Sequence, residues 1–280
     1  MTVIRTAPPH APARVRPATP HGGPAAAGPV PIVAVASGKG GVGKTWFAIT
    51  LSHALARAGR RVLLFDGDFG LANVDIQLGL TPPHDLAKVI AGRVGLRDAI
   101  MRHAEGGFGI LAGRSGSGLL SSLDVPTVDW ITAALRDAAA AYDLVLLDLG
   151  AGLEPPVRRL AAGADALLVV ATEEPTSLTD AYAVLKLHAA DRGDKAPAPR
   201  VVINQAANRA AGERTFATLQ RASETFLGRT PRLLGVVRRD DHVRDAIRRQ
   251  ALLLTRHPSC AAAEDVEQIA RALLAGGSLA

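Results

Sequence analysis

Nine residues decide the fold of this chain: Ser37-Gly-Lys-Gly-Gly-Val-Gly-Lys-Thr45. They follow an apolar run and lead into an amphipathic stretch, which is the strand–loop–helix context of a phosphate-binding loop. The residues from Gly38 to Thr45 fit the pattern G-x-x-x-x-G-K-[S/T]. We therefore predict a nucleotide site in which Lys44 meets the β- and γ-phosphates and the Thr45 hydroxyl holds Mg²⁺.

The other loop positions are expected to surround the same phosphates. Glycine lets the backbone amides turn toward phosphate oxygens, and the N-terminus of the following helix adds positive potential. A glycine-rich turn that binds no ligand is the alternative. The expected nucleotide contacts are Gly38, Gly40, Gly41, Val42, Gly43 and Trp46, in addition to Lys44 and Thr45.

Short runs that are apolar throughout recur along the rest of the chain, which is typical of strands buried on both faces of a parallel sheet. They are Ile32–Ala36, Val62–Phe65, Leu144–Leu147, Ala166–Ala171, Val201–Ile203 and Leu233–Val237. Helical patterns lie between and after them, at residues 44–58, 127–141, 176–189, 209–226, 241–250 and 260–275. The alternation predicts an α/β fold with a doubly wound, mostly parallel sheet in a single domain.

We place that domain at residues 31–275. Residues 1–30 are rich in Pro, Ala and Gly and are predicted to be a disordered tail, and residues 276–280 a flexible C-terminus. The chain has 280 residues, 48% of them apolar, but no apolar run reaches the ~18–20 residues of a membrane span. Cys260 is the single cysteine, which excludes an internal disulfide and favours a cytoplasmic location. The net charge of +6 has no dominant basic run, so nucleic-acid binding is not expected.

Carboxylates and an amide follow three of the apolar runs. Asp66 and Asp68 end the second run, Asp148 follows Leu144–Leu147, and Asn204 follows Val201–Ile203. An open α/β sheet binds its ligand at the carboxyl ends of its strands. We therefore expect these side chains near the phosphate loop, where Asp148 can hold Mg²⁺. Each could instead be a polar residue that begins a turn.

The motif K-G-G-x-G-K-[S/T], which begins at Lys39, resembles the loop of MinD/ParA ATPases of the deviant Walker A type, within the MinD-like SIMIBI class of P-loop proteins. The resemblance implies ATP or ADP with Mg²⁺ as ligands, and a homodimer in the ATP state. It implies that Lys39 reaches the partner's nucleotide and that Asp68 orients the attacking water. It also implies that Asp66, Thr45 and Asp148 serve the metal, and that Asn204 binds the adenine.

Further stretches are similar to the FlhG/FleN subgroup of MinD-like flagellar number regulators. They are Asp68–Leu80, Gly109–Gly116, Glu174–Tyr182 and Asp240–Arg244 with Gln250. The resemblance implies a cytoplasmic ATPase, slow without a partner, that sets flagellar number or placement. Its partners would be a flagellar GTPase, a switch protein or a transcription activator, and its ATP form would contact the inner face of the cell membrane.

Two alternatives of the same superfamily stay open. One is a ParA-type partition ATPase with ATP-dependent, non-specific DNA binding, and the other is a MinD-type division-site ATPase. The last helical pattern bears on the membrane question, because its apolar face either packs on the core or forms a weak membrane anchor. That face consists of Val266, Ile269, Ala270, Leu273 and Leu274. The arginines Arg238, Arg239, Arg244, Arg248 and Arg249 form either a solvated face or an anion-binding surface.

Overall fold

The computed structural model describes residues 30–113, 123–193 and 197–275. The described strands form one 8-stranded sheet in the order β3-β4-β2-β5-β1-β6-β7-β8. Their bounds are β1 Ile32–Ser37, β2 Val62–Gly67, β3 Met101–His103, β4 Phe108–Leu111, β5 Leu144–Ala151, β6 Ala166–Ala171, β7 Arg200–Ala206 and β8 Arg232–Arg238. The tail expected at residues 1–29, the C-terminus at 276–280 and the end of the segment Gly109–Gly116 lie outside the described residues.

Helices connect the strands in the alternating order that the sequence predicts. The longer helices are α1 Lys44–Arg57, α5 Val125–Ala139, α6 Pro155–Gly163, α7 Pro175–Arg192, α8 Arg209–Leu227, α9 Asp241–Arg248 and α11 Ala261–Ala275. The short helices are α2 Val74–Leu78, α3 Leu86–Ile90, α4 Leu96–Ala99 and α10 Leu253–Arg256. Each predicted strand and helix is present, with bounds shifted by a few residues.

Two strands and several helices were missed in the sequence. Strand β3 pairs antiparallel with β4, whereas the other paired strands of the sheet run parallel. Both are short, and the four residues between them, 104–107, include Gly106 and Gly107, so the segment looks like a loop in the sequence. Helix α6 begins with Pro155 and Pro156, which suit the first turn of a helix but look like a loop in a sequence.

The sheet has a hydrophobic core on each face, because alternate residues of a strand point to opposite sides. In β1, Ile32 and Ala34 belong to one core and Val33 and Val35 to the other. Helices α5 to α8 contribute to the first core, and α1 and α11 to the second. This is the doubly wound arrangement, and it leaves the carboxyl ends of the parallel strands as the edge where loops converge.

The apolar face of α11 is part of the second core. Val266, Ile269, Ala270 and Leu273 are all buried, and the helix packs against α1 and β8. Of the two interpretations of this helix, the structure supports packing on the core, and in this conformation the buried face is not available to a bilayer. Among the described residues, no helix has the length and hydropathy needed to cross a membrane.

Candidate functional site

The phosphate loop joins the end of β1 to α1 and packs tightly on two neighbours. A Cβ on Gly38 would lie 2.3 Å from the backbone oxygen of Asp180 in α7, and one on Gly43 would lie 2.5 Å from Nδ2 of Asn204. Gly41 and Gly43 also have φ angles of 80° and 83°, which disfavour side chains. No side chain caps the N-terminus of α1, so its first backbone amides remain available to an anion.

Lys44 and Asp148 form a buried ion pair at the carboxyl end of the central strands. The distance from Lys44 Nζ to Asp148 Oδ1 is 2.7 Å, and the side chains are 6% and 0% exposed. Thr45 lies beside the same carboxylate and lowers its pKa, while Asp148 Oδ2 is buried without a hydrogen-bond partner among the described residues. Burial raises the pKa of Asp148, and the Lys44 charge opposes that shift. A carboxylate oxygen left unsatisfied beside a threonine hydroxyl fits a hard cation such as Mg²⁺.

Asp66 lies on β2 directly opposite Asp148 in the parallel register of β5. Its Oδ1 accepts a hydrogen bond from the Asp68 amide at 3.2 Å, and its Oδ2 accepts from the Asn73 and Val74 amides, both at 3.0 Å. Burial, with the nearby Asp148 charge, raises the pKa of Asp66 to about 7. Asp66 therefore organises the loop that follows β2, a role that the sequence analysis did not predict.

Asp68 is half-buried at the start of that loop and faces the segment after Asp148. Its Oδ1 accepts hydrogen bonds from the Gly70 and Leu71 amides at 3.1 and 2.9 Å. A Cβ on Gly150 would lie 3.3 Å from this oxygen, so the two strand ends approach closely. Within the described chain nothing donates a hydrogen bond to Asp68 Oδ2. The carboxylate is thus fixed by one oxygen and has the other available to a water.

Lys39 occupies the exposed side of the loop. Its Nζ lies 2.7 Å from Glu174 Oε2 and 2.9 Å from Thr176 Oγ1, both at the start of α7. The Lys39 side chain is 39% exposed and that of Glu174 66%. The stretch Glu174–Tyr182 was quoted above only for its resemblance, and neither Glu174 nor Thr176 was expected to contact Lys39. The contact could not have been found there, because its partners are far apart in the chain.

A cavity of about 200 Å³ lies beside the loop, between the ends of β7 and β8. Gly41, Gly43, Trp46 and Asn204 line it, and Trp46 Nε1 is buried without a partner among the described residues. Asn204 Nδ2 donates a hydrogen bond to the Val42 carbonyl at 2.8 Å. Asn204 therefore holds the loop, and its contact with adenine stays a prediction.

Two glutamines have left-handed backbone conformations that were not predicted from the sequence, although Gln250 belongs to a stretch quoted there for its resemblance. Gln205 has a φ of 57° and donates from Nε2 to the Gly41 carbonyl at 3.2 Å. Gln250 has a φ of 51° and donates to the Ile76 carbonyl at 2.9 Å, which ties the end of α9 to α2. Such conformations cost energy in residues other than glycine and cluster at functional sites. Both hold segments next to the phosphate loop or the Asp68 loop.

The arginines near α9 are partly neutralised. Arg238 Nε donates to Asp265 Oδ2 at 2.8 Å, and its guanidinium also contacts Glu264. Arg249 pairs with Asp245 at 3.0 Å, whereas Arg244 is 77% exposed. The interpretation as a largely solvated face therefore agrees better with the structure than one continuous anion-binding surface.

The chain is similar in sequence to known proteins. The family described as the CobQ/CobB/MinD/ParA nucleotide binding domain matches residues 33–253. The antiactivator FleN of Pseudomonas aeruginosa is 39% identical over 230 residues, which are 82% of this chain and 81% of FleN. The flagellum site-determining protein YlxH of Helicobacter pylori is 26% identical over 243 residues, 86% of this chain and 81% of YlxH.

Solved structures show the same fold. The septum site-determining protein MinD of Pyrococcus horikoshii, complexed with Mg-ADP, superimposes with a TM-score of 0.73 at 24% identity. The match covers 90% of this chain and 99% of that one.

Proposed function

The chain belongs to the CobQ/CobB/MinD/ParA nucleotide-binding family, and we propose that it is a Mg²⁺-dependent ATPase that dimerises with ATP and regulates flagellar number or placement. One observation supports the ATPase above all: the buried pair of Lys44 and Asp148, with Thr45 beside the same carboxylate and Asp68 facing it. The identity with FleN, 39% over most of both chains, supports the flagellar role.

ATP binding is proposed to rearrange the buried pair. The loop amides and Lys44 receive the phosphates, and Lys44 then exchanges Asp148 Oδ1 for phosphate oxygens. Thr45 and Asp148 would hold Mg²⁺, and Asp66, which lies opposite Asp148 on the neighbouring strand, would support the metal site from there. When bound, the cation neutralises the charge that develops on the phosphate oxygens. The base would enter the cavity lined by Trp46 and Asn204.

Hydrolysis is proposed to depend on Asp68. Its Oδ1 is held by two backbone amides, so Oδ2 can accept a hydrogen bond from the attacking water and orient it toward the γ-phosphate. The products are ADP and phosphate. A carboxylate held by the backbone positions the water with little loss of side-chain entropy on binding.

Dimerisation is proposed to use Lys39. The side chain is exposed, so it can leave Glu174 and reach the nucleotide of a second copy, where it adds positive charge to the phosphates. ADP lacks the γ-phosphate, whose negative charge would stabilise this contact, so the ADP form is expected to be a monomer.

The proposed partners are a flagellar GTPase, a switch protein or a transcription activator. FleN is named an antiactivator, which supports the transcription activator. The proposed site of action is the cytoplasm, with peripheral contact at the cell membrane. Because the apolar face of α11 is buried, such a contact would have to use other residues or a rearrangement of α11.

The flagellar role can be tested in Pseudomonas aeruginosa cells that lack FleN. We expect this chain to restore the wild-type number of flagella per cell, counted by electron microscopy. Asp68→Ala should fail to do so, whereas Asp98→Ala, which alters an exposed carboxylate in α4, should succeed. Expression of the folded chain without any change in flagellar number would contradict the proposal.

A further inference from the structure

A cluster of three side chains that can ligate a metal lies beside the proposed base cavity, where the turn between β8 and α9 meets the start of α11. It consists of Asp240, His242 and Cys260, and their ligand atoms all lie within 4.8 Å of one another. We propose that these three residues bind a Zn²⁺-type ion.

The donor set selects the class of metal. Zn²⁺ takes thiolate, imidazole and carboxylate ligands, whereas Mg²⁺ prefers oxygen alone. Metal–ligand bonds of 2.0–2.3 Å place tetrahedral ligands about 3.3 to 3.7 Å apart. The present separations are near that range, because His242 Nδ1 lies 2.8 Å from Asp240 Oδ1 and no two of the three ligand atoms are more than 4.8 Å apart.

Asp240 is held in place for this role by the backbone. Its Oδ1 accepts from the His242 amide at 3.0 Å, and its Oδ2 accepts from the Ala262 amide at 3.3 Å. A carboxylate oxygen has a second lone pair that remains open to a metal. Helix capping explains these amide bonds, but it requires neither the imidazole of His242 nor the thiol of Cys260.

His242 is restrained by a neighbouring ring. The rings of His242 and His257 lie 4.4 Å apart between centroids, and His257 Nε2 is bound to Asp245 at 2.9 Å. Two arginines of the neighbouring segments are paired, since Arg256 binds Asp245 at 2.6 Å and Arg238 binds Asp265 at 2.8 Å. The fourth metal position is left to solvent, as in zinc sites that keep an open position.

Metal binding would join two segments beside the base cavity. Asp240 also lines that cavity, so the ion would fix the β8–α9 turn to α11 at the edge of the nucleotide site. Binding replaces the thiol proton of Cys260, which leaves to solvent, with a bond between sulfur and metal. No electron transfer is involved.

The single cysteine provides a direct readout in the full chain. Cys260 is modified with a thiol reagent after chelator treatment, with Zn²⁺ or Mg²⁺ added. We expect Zn²⁺ at micromolar concentration to slow modification by about tenfold or more and Mg²⁺ to leave it unchanged. His242→Ala should lose the protection, and His84→Ala, which alters a histidine outside the cluster, should keep it.

Co²⁺ serves as a spectroscopic substitute. A sulfur-to-cobalt charge-transfer band in the near ultraviolet should appear in the wild type and be lost in Cys260→Ser. The proposal is overturned if Zn²⁺ does not slow the thiol reaction, if His242→Ala is protected like the wild type, or if the cobalt band is absent.

Discussion

Lys44 and Lys39 belong to the same loop, and each forms an ion pair of 2.7 Å, yet their surroundings are opposite. Lys44 and Asp148 are 6% and 0% exposed, whereas Lys39 and Glu174 are 39% and 66% exposed. A buried pair cannot lose one member without leaving an uncompensated charge. An exposed pair is screened by water and can exchange partners at little cost.

The difference separates what each lysine can do. Lys44 is fixed in the interior and is suited to binding nucleotide within its own chain. Lys39 lies at the surface with a partner that it can release, which suits contact with a second molecule. The same residue type, five positions apart in the sequence, thus serves the site in one case and the proposed assembly in the other.

The largest expected effect comes from breaking the buried pair. Lys44→Met should lower the free energy of unfolding by about 3–5 kcal/mol, because Asp148 is left buried and unpaired. Urea unfolding of the nucleotide-free protein measures this. The double variant Lys44→Met with Asp148→Leu should recover most of the loss without regaining ATP binding. A single variant as stable as the wild type would show that the pair is not buried in solution.

The Asp68→Ala variant separates ATP hydrolysis from ATP binding. We expect single-turnover hydrolysis of ATP to slow by about 10²–10⁴-fold while ATP still binds, since only the carboxylate that orients the water is removed. Asp98→Ala is the matched control and should hydrolyse ATP like the wild type. An Asp68→Ala protein with the wild-type rate would remove Asp68 from the mechanism.

The raised pKa of Asp66 leads us to expect an unusual dependence of the free energy of unfolding on pH. Its pKa is raised from 3.8 to about 7 by burial, so between these values the folded state holds a proton that the unfolded state releases. The contribution of Asp66 to stability should therefore fall as the pH rises from 4 to 7, by an amount on the order of a few kcal/mol.

The contribution of Asp66 to this pH dependence can be isolated by urea unfolding of the wild type and Asp66→Asn without nucleotide or metal. Asp98→Asn, which changes an exposed carboxylate, is the control. The free energy of unfolding of the wild type minus that of Asp66→Asn should fall as the pH rises from 4 to 7, because only the wild type must ionise a buried carboxyl group. An unchanged difference across this range would contradict the raised pKa.

The smallest effect on stability is expected at the exposed pair. Lys39→Ala should change the free energy of unfolding by less than about 1 kcal/mol, because the pair is exposed. Thermal unfolding of the nucleotide-free protein is the measurement. A loss of stability as large as that of Lys44→Met would show that the exposed pair contributes as much to stability as the buried pair, which contradicts this prediction.

Much of this fold could be predicted because its signals are local. A buried parallel strand is apolar throughout, so the runs containing Ile32 and Leu144 were recognisable, and the glycine pattern placed Lys44 and Thr45. Asp148 was expected near the phosphate loop because the carboxyl ends of parallel strands lie at the same edge of such a sheet. Strand β4 was missed, since a short segment next to two glycines has no clear periodicity.

The rest depends on contacts between distant residues. Asp66 was assigned to the metal, and nothing in the sequence showed that the Asn73 and Val74 amides would bind its carboxylate. Lys39 and Glu174 are 135 residues apart in the chain, so their contact cannot be read from the sequence. The left-handed conformation of Gln205 is equally hidden, because the residue type does not favour it.

Dimerisation with ATP is proposed to depend on the exposed Lys39. Its most direct test is the molar mass in solution by light scattering, with ADP and with a non-hydrolysable ATP analogue, for wild type and Lys39→Ala. We predict that the wild type doubles its mass only with the ATP analogue and that Lys39→Ala stays monomeric with the analogue bound. A wild type that remains monomeric with the analogue bound, or a Lys39→Ala variant that dimerises equally, would contradict the claim.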